Sequence, residues 1–147
     1  MRVNAKMRDR LAQTAFAPEK PLSPRLADLC SAALVLLDGA VFLPNRPMPD
    51  VPVSLDKTGL EAWVNKVQIG DLSDRGPEDW LMEGVQFCTF VGLRLEALGR
   101  PYRLILSRDP DSGDVSVRFF IVRPGEPRWG SKSPDDYVLE EVIQWGE

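Results

Sequence analysis

The sequence contains no histidine. A Ser–His–Asp triad, a zincin helix and any histidine proton relay are therefore excluded. Cysteine is nearly absent too, with Cys30 and Cys88 the only two. Two thiols cannot build a four-ligand zinc site by themselves. Both fall in apolar stretches, which reads as two buried, reduced thiols, with a disulfide the lesser alternative. No apolar run is long enough to span a bilayer. The longest, residues 29–43, is interrupted by Asp38 and Gly39. The opening MRVNAKMRDRLAQ carries charge but no apolar core of a secretory signal. No GxxxxGK[ST] or GxGxxG loop occurs among the scattered glycines. These absences predict a cytoplasmic protein without a membrane segment, a nucleotide loop, a metal or a cofactor.

What is present is an ordinary globular mixture. The chain has 147 residues, 44% hydrophobic and 27% charged. That length supplies one core and is short for two ordinary domains. A single compact domain over residues 1–147 is expected, with residues 1–22 frayed or docked on the body. There are 18 Lys plus Arg against 22 Asp plus Glu, a net charge of -4. Residues 1–25 carry six basic groups against two acidic ones, so the body is more acidic than the whole. An acidic body repels nucleic acid and attracts basic protein surfaces.

The periodicities predict an α+β fold, with helices packed on a three- or four-stranded, mainly antiparallel sheet. Val3, Met7 and Leu11 mark a short N-terminal helix. Ser23 and Pro24 open a second, with Leu26, Leu29, Cys30, Ala33, Leu34 and Leu37 as its buried stripe and Gly39 as its stop. Val35 and Leu36 widen that stripe, so this helix is expected to be largely enclosed. Ala40 to Leu43 reads as a short strand or an apolar exit. The proline-rich stretch 44–52 reads as a stiff surface connector. Thr58-Gly59-Leu60-Glu61 matches a capping box before a short helix, and Gly70 to Gly76 reads as a loop. The strongest element runs from Pro77 to Leu98, opened by Gly76-Pro77 and closed by Gly99 and Pro101. The period then changes from 3.6 to 2. Residues 101–107 and 115–123 read as a hairpin across the Asp109–Asp114 turn, and a third strand is expected within 137–145.

Several charged sets invite a chemical reading. Asp109, Asp111 and Asp114 start like a calcium loop but lack the glycine at position 6 and the glutamate at position 12. Asp79 and Glu83 share a helix face at i, i+4 and read as part of an acidic recognition surface. Asp135 and Asp136 read as loop charge of the same kind. The run RFFIVRPGEPRW places Arg118, Arg123, Glu126, Arg128 and Trp129 together. Arg and Trp anchor many protein interfaces, so this run reads either as a contact surface or as a strand whose subsequent loop folds Trp129 onto the core.

Val64-Asn65-Lys66, the run VRFFIVRPGE from Val117 to Glu126, and YVLEEV from Tyr137 to Val142 resemble small bacterial immunity proteins of polymorphic toxin systems. The resemblance spans roughly residues 60–145 and does not include the stretch 44–52. It implies a compact partner that binds and blocks a toxin domain, and it carries over no residue role. The expected function is thus non-enzymatic protein binding, with a basic toxin domain as the implied partner. The alternatives are a small enzyme using carboxylates and arginine, or a phage or structural assembly protein. A homo-oligomer is compatible with each.

Overall fold

The computed structural model describes residues 1–14, 20–48, 56–127 and 129–146. The fold is α+β. Among the described residues, the α-helices are α1 (Ala5–Gln13), α2 (Pro24–Ser31), α3 (Lys57–Val64), α4 (Ile69–Leu72) and α5 (Pro77–Ala97). The strands among them are β1 (Arg2–Val3), β2 (Val35–Leu37), β3 (Ala40–Phe42), β4 (Val67–Gln68), β5 (Tyr102–Arg108), β6 (Val115–Ile121) and β7 (Glu141–Gly146). Five of them form an antiparallel sheet in the order β1-β7-β5-β6-β4, and β2-β3 form a separate hairpin. The sheet is therefore one strand wider than the widest sequence expectation.

β5 is the central strand. It pairs with β6 from Tyr102↔Ile121 to Arg108↔Val115, and with β7 from Arg103↔Gly146 to Arg108↔Glu141. In the β5–β6 turn, Asp109 Oδ1 accepts from the backbone N–H groups of Asp111 and Ser112. Those bonds hold its carboxyl below the usual carboxylate range. Directly paired residues share a face. Leu104, Leu106, Val117, Phe119 and Ile143 thus line one face, where Phe87, Val91 and Leu95 of α5, Leu26 of α2 and Met7 of α1 cover them. Burying one such Phe or Leu is worth about 1.5–3 kcal/mol. The opposite face carries Ile105, Phe120 and Val142, with Ala62 of α3 and the ring of Trp129 upon them.

The long helix and the β5–β6 hairpin stand where the caps and the change of period put them. Four other expectations resolve as follows. First, residues 1–14 take the docked of the two alternatives. β1 pairs with β7, and buried Asn4 caps α1 through Met7 N–H while accepting from Val142 N–H. Its amide also donates to the carbonyls of Tyr137 and Glu140. Second, the helix from Pro24 stops at Ser31. Arg94 of α5 donates to the carbonyls of Ser31 and Ala32, groups that a longer helix would need for itself. Beyond them the chain turns into the hairpin β2–β3. Asp38 and Gly39 have φ of +50° and +81°, and Leu37 pairs with Ala40 across them. Two positive φ values in a two-residue loop make a type I′ turn, the purpose for which Asp-Gly is suited. Third, the start of the expected Gly70–Gly76 loop belongs to α4 (Ile69–Leu72), which follows β4 (Val67–Gln68). Fourth, the last strand begins only at Glu141. Ser133, Pro134 and Asp136 set a capped 3-10 turn ahead of it, and Val138 and Leu139 stay exposed. The expected proline-rich connector lies outside the described residues from 49 onward.

Candidate functional site

Helix α3 and its C-cap carry Thr58, Glu61 and Asn65 along one side, at spacings of three and four. The stripe is polar, yet Glu61 and Asn65 are wholly buried. It lies between the stretch of β6 beyond its pairing with β4 and the edge of β3. Toward β6, Glu61 Oε2 accepts from Ile121 N–H at 2.7 Å, and Thr58 Oγ1 lies 3.1 Å from Ile121 O. Toward β3, Glu61 Oε1 accepts from Val41 N–H at 2.7 Å. Asn65 accepts from Leu43 N–H and donates to Val41 O, at 2.9 and 2.8 Å. Side chains thus substitute for a ladder that the two strand edges do not make with each other. An unpaired buried N–H would cost about as much as a lost hydrogen bond.

Arg123 completes the cluster. Its Nη2 lies 2.6 Å from Glu61 Oε1 and its Nη1 2.9 Å from Oε2. The hydrogen bonds to Glu61 hold the guanidinium more firmly protonated than usual. Glu126 accepts from Thr58 N–H at 2.9 Å and from Thr58 Oγ1 at 2.5 Å. Thr58, Arg103, Phe120, Arg123 and Glu126 line an open pocket of about 330 Å3. It has the residue types of a small carboxylate–arginine active site. Its buried carboxylate, however, already accepts from two backbone amides and both arms of Arg123. Glu61 therefore acts as a structural acceptor and leaves no idle lone pair for a substrate proton.

Two further buried carboxylates share the same pattern. Glu83 accepts from Ser23 N–H at 2.8 Å, from Ser23 Oγ at 2.5 Å and from Ser73 Oγ, with Arg75 Nε at 3.7 Å. Ser23 is accordingly spent on Glu83 and makes no side-chain cap for α2, although Pro24 holds the first helical position. Glu141 pairs with Arg10 and Arg108 at 3.1 and 2.8 Å. Among the described residues, no three His, Cys, Asp or Glu side chains gather as a metal cluster.

Glu126 yields a pH expectation. Burial pushes its carboxyl up, but the bonds from Thr58 and the nearby Arg123 outweigh that and leave it below the usual range. A lowered folded-state value contributes stability above the unfolded pKa, and loses it as pH falls through the folded one. The denaturant midpoint of the wild type should therefore fall more steeply from pH 6 to pH 3 than that of Glu126→Gln. Parallel midpoints over that range would contradict the assignment.

The other sequence-predicted residues disperse. Asp79 is at the surface, where Lys20 Nζ bonds it at 2.8 Å and holds its carboxyl low. Glu83 is 0% exposed, so the two do not form an acidic recognition face. Arg118 is half-buried and lines a crevice of about 150 Å3 with Trp129 and Tyr137. Trp129 folds back onto the body. Its ring occupies the space over Gly59, where a Cβ would come within 2.6 Å of Nε1. Asp135 and Asp136 are exposed on the 3-10 turn, and Asp136 accepts from Ser133 N–H. Arg128 lies outside the described residues.

The surface holds what the sequence reading enclosed. Val35, Leu36 and Leu37 are 45%, 57% and 50% exposed, and Phe90 and Leu93 of α5 are exposed as well. Arg94 ties the entrance of the hairpin to this part of α5. Beside it, Leu22, Ala27, Cys30, Phe90 and Arg94 line an apolar groove of about 430 Å3. Burial pushes the Cys30 thiol up to about 11 against the pull of Arg94, and burial raises Cys88 as well. Both are free thiols, held in the unreactive protonated form. The usable signal for the exposed tract was Asp38-Gly39.

No helix among the described residues is long and apolar enough to cross a membrane. Comparison with curated proteins finds no match, and comparison with solved structures finds none either. A family model matches residues 2–144, nearly the whole chain, so the protein belongs to the Uncharacterized protein PM0498 family.

Proposed function

We propose that the chain is a non-enzymatic protein-binding domain whose contact face is the hairpin β2–β3 together with the outer side of α5. The observation that carries this reading is the exposed apolar tract Val35-Leu36-Leu37, with Phe90 and Leu93 of α5 exposed as well. Exposed apolar surface beyond scattered single residues marks interaction sites. The buried carboxylates support the same reading from the other side, because Glu61, Glu83 and Glu141 are each committed to backbone amides, hydroxyls or arginines. Toxin blocking by an immunity protein is the specific form suggested by the sequence resemblance, and the net charge of -4 suits a basic partner.

The test uses the immobilised full chain and a Phe90→Asp/Leu93→Asp variant that melts at the wild-type temperature. The wild type should retain a partner from its native source that the variant releases. Equal retention by both would place the contact elsewhere. Turnover by the purified protein, abolished by one carboxylate substitution that leaves the fold intact, would overturn the non-enzymatic reading.

A further inference from the structure

A crevice of about 150 Å3 opens on the sheet face opposite to α5, between α3 and the loop that precedes β7. Its floor comes from the central strands. Ile105 pairs with Arg118, and Ser107 with Ser116. All four share one face, and Arg118 stands diagonally across from Ser107. Ser107 Oγ lies 3.0 Å from Ser116 Oγ. One hydroxyl donates to the other, which leaves one proton of the pair for a further acceptor. Two aromatic rings make the walls, and each is seated against a glycine. Trp129 fills the space over Gly59. Tyr137 Oη accepts from Ser131 N–H at 3.0 Å, and a Cβ on Gly130 would come within 2.6 Å of it. At the rim, the carbonyl of Glu140 accepts from the side-chain amide of Asn4 at 2.9 Å. Floor, walls and rim are thus held in place by the fold itself.

The charges of this crevice are unspent. Arg118 and Glu140 both line it, and both are half-buried. No ion pair joins them, and neither side chain makes a hydrogen bond or ion pair among the described residues. The larger pocket at Thr58 differs in this respect, because its Arg123 is spent on Glu61 and its Glu126 on Thr58. Among the described lining residues of the crevice, Arg118 and Glu140 are the charged ones. A guest with a single charge would be attracted by one and repelled by the other. A guest that carries both charges satisfies both.

We propose that this crevice binds a small α-amino acid as its zwitterion. The carboxylate meets the Arg118 guanidinium and the spare hydroxyl proton of Ser107 and Ser116, in charge-assisted hydrogen bonds. The ammonium meets the Glu140 carboxylate beside the faces of Trp129 and Tyr137, which attract a cation within about 6 Å of a ring centre. A cavity of about 150 Å3 takes a guest the size of benzene, so the amino acid has a short side chain. This site lies on the other side of the sheet from α5 and is separate from the protein contact at Phe90 and Leu93.

Titration of the 15N-labelled full chain with glycine, L-alanine and L-serine, each to about 50 mM, tests the proposal. At least one should shift the Trp129 indole N–H signal saturably, with a Kd at or below about 10 mM, as a guest of so few atoms allows. Trp129→Phe assigns that signal by its loss. Propionate lacks the ammonium and ethylamine lacks the carboxylate, so each should bind at least about tenfold more weakly than the tightest of the three. Arg118→Gln and Glu140→Gln break no bond within the chain and should melt with the wild type. Each should nevertheless weaken binding at least about tenfold. The Phe90→Asp/Leu93→Asp variant should bind the amino acid as the wild type does. Absence of a saturable shift with all three amino acids overturns the proposal. So does propionate or ethylamine binding as tightly as the best of them, and so does unchanged binding in Arg118→Gln or Glu140→Gln.

Discussion

Glu61→Ala should destabilise the folded chain by about 3–5 kcal/mol, the cost of breaking a buried ion pair from one side. Domains of this kind are stable by about 5–15 kcal/mol in total, so the loss should be visible as a large drop in the urea midpoint. The reason lies in how many donors converge on one carboxylate. Val41 N–H and Ile121 N–H each meet one of its oxygens at 2.7 Å, and Arg123 spans both. Alanine strands two buried amides from different strands and leaves a guanidinium without its counter-charge. Glu61→Gln should cost less, on the order of 1–3 kcal/mol. Its remaining oxygen still accepts, but its NH2 is set against a backbone N–H. A cycle with Arg123→Leu separates the terms. If the stranded cation dominates, Glu61→Leu/Arg123→Leu should be more stable than Glu61→Leu alone. A loss below about 1 kcal/mol for Glu61→Ala would show that this junction is not what joins the hairpin to the sheet.

The same junction shows where the sequence was legible. Helix α5 could be read because its signals are local. Pro77 opens it, Gly99 and Pro101 close it, and the apolar stripe between them recurs at helical spacing. The β5–β6 hairpin was legible for the same reason, through alternation and a turn of Asp, Pro and Gly. The segment after Ser31 was not. Leu34 and Leu37 continue a helical stripe as well as they begin a strand, and Gly39 serves as a helix stop or as half of a type I′ turn. What decides between them is Arg94, which holds the helix-end carbonyls from a distant helix.

Glu61 was read only as the far end of a capping box. Its partners come from β3, β6 and Arg123, none adjacent in sequence, so no spacing rule could find it. Asp56 is the residue that caps α3, through Gly59 N–H, while Thr58 is drawn into contact with Glu126 and Ile121. Arg123 and Glu126 were singled out for their charge beside an apolar strand. That charge turns out to brace the strand edge. Trp129 likewise takes the folded-back alternative of its two readings.

The second large effect is expected at Glu83. Its spacing from Asp79 suggested one acidic face, on which reversing both charges should slow the approach of a basic partner. The two positions now predict different experiments. Asp79→Lys removes a surface pair with Lys20, and exposed pairs contribute about 0–1 kcal/mol. Its effect belongs to association rate and salt dependence. Glu83→Lys places a cation in a site with 0% exposure, 3.7 Å from where Arg75 already stands. Ser23 N–H, Ser23 Oγ and Ser73 Oγ would lose their common acceptor. Those groups fasten the start of α2 and the loop after α4 to α5, so the loss reaches beyond one side chain. Even Glu83→Ala should cost about 3–5 kcal/mol, and the lysine variant should be unfolded or nearly so at 37 °C. Glu83→Gln keeps an acceptor for Ser23 and should recover part of the difference. Thermal unfolding monitored by circular dichroism distinguishes the two positions. Asp79→Lys should melt within a few degrees of the wild type, while Glu83→Ala should melt roughly 10 °C or more below it. If Glu83→Ala instead keeps the wild-type melting temperature, the buried carboxylate is not the fastener between α2 and α5, and the contact of Leu26 and Cys30 with the core must hold that helix alone.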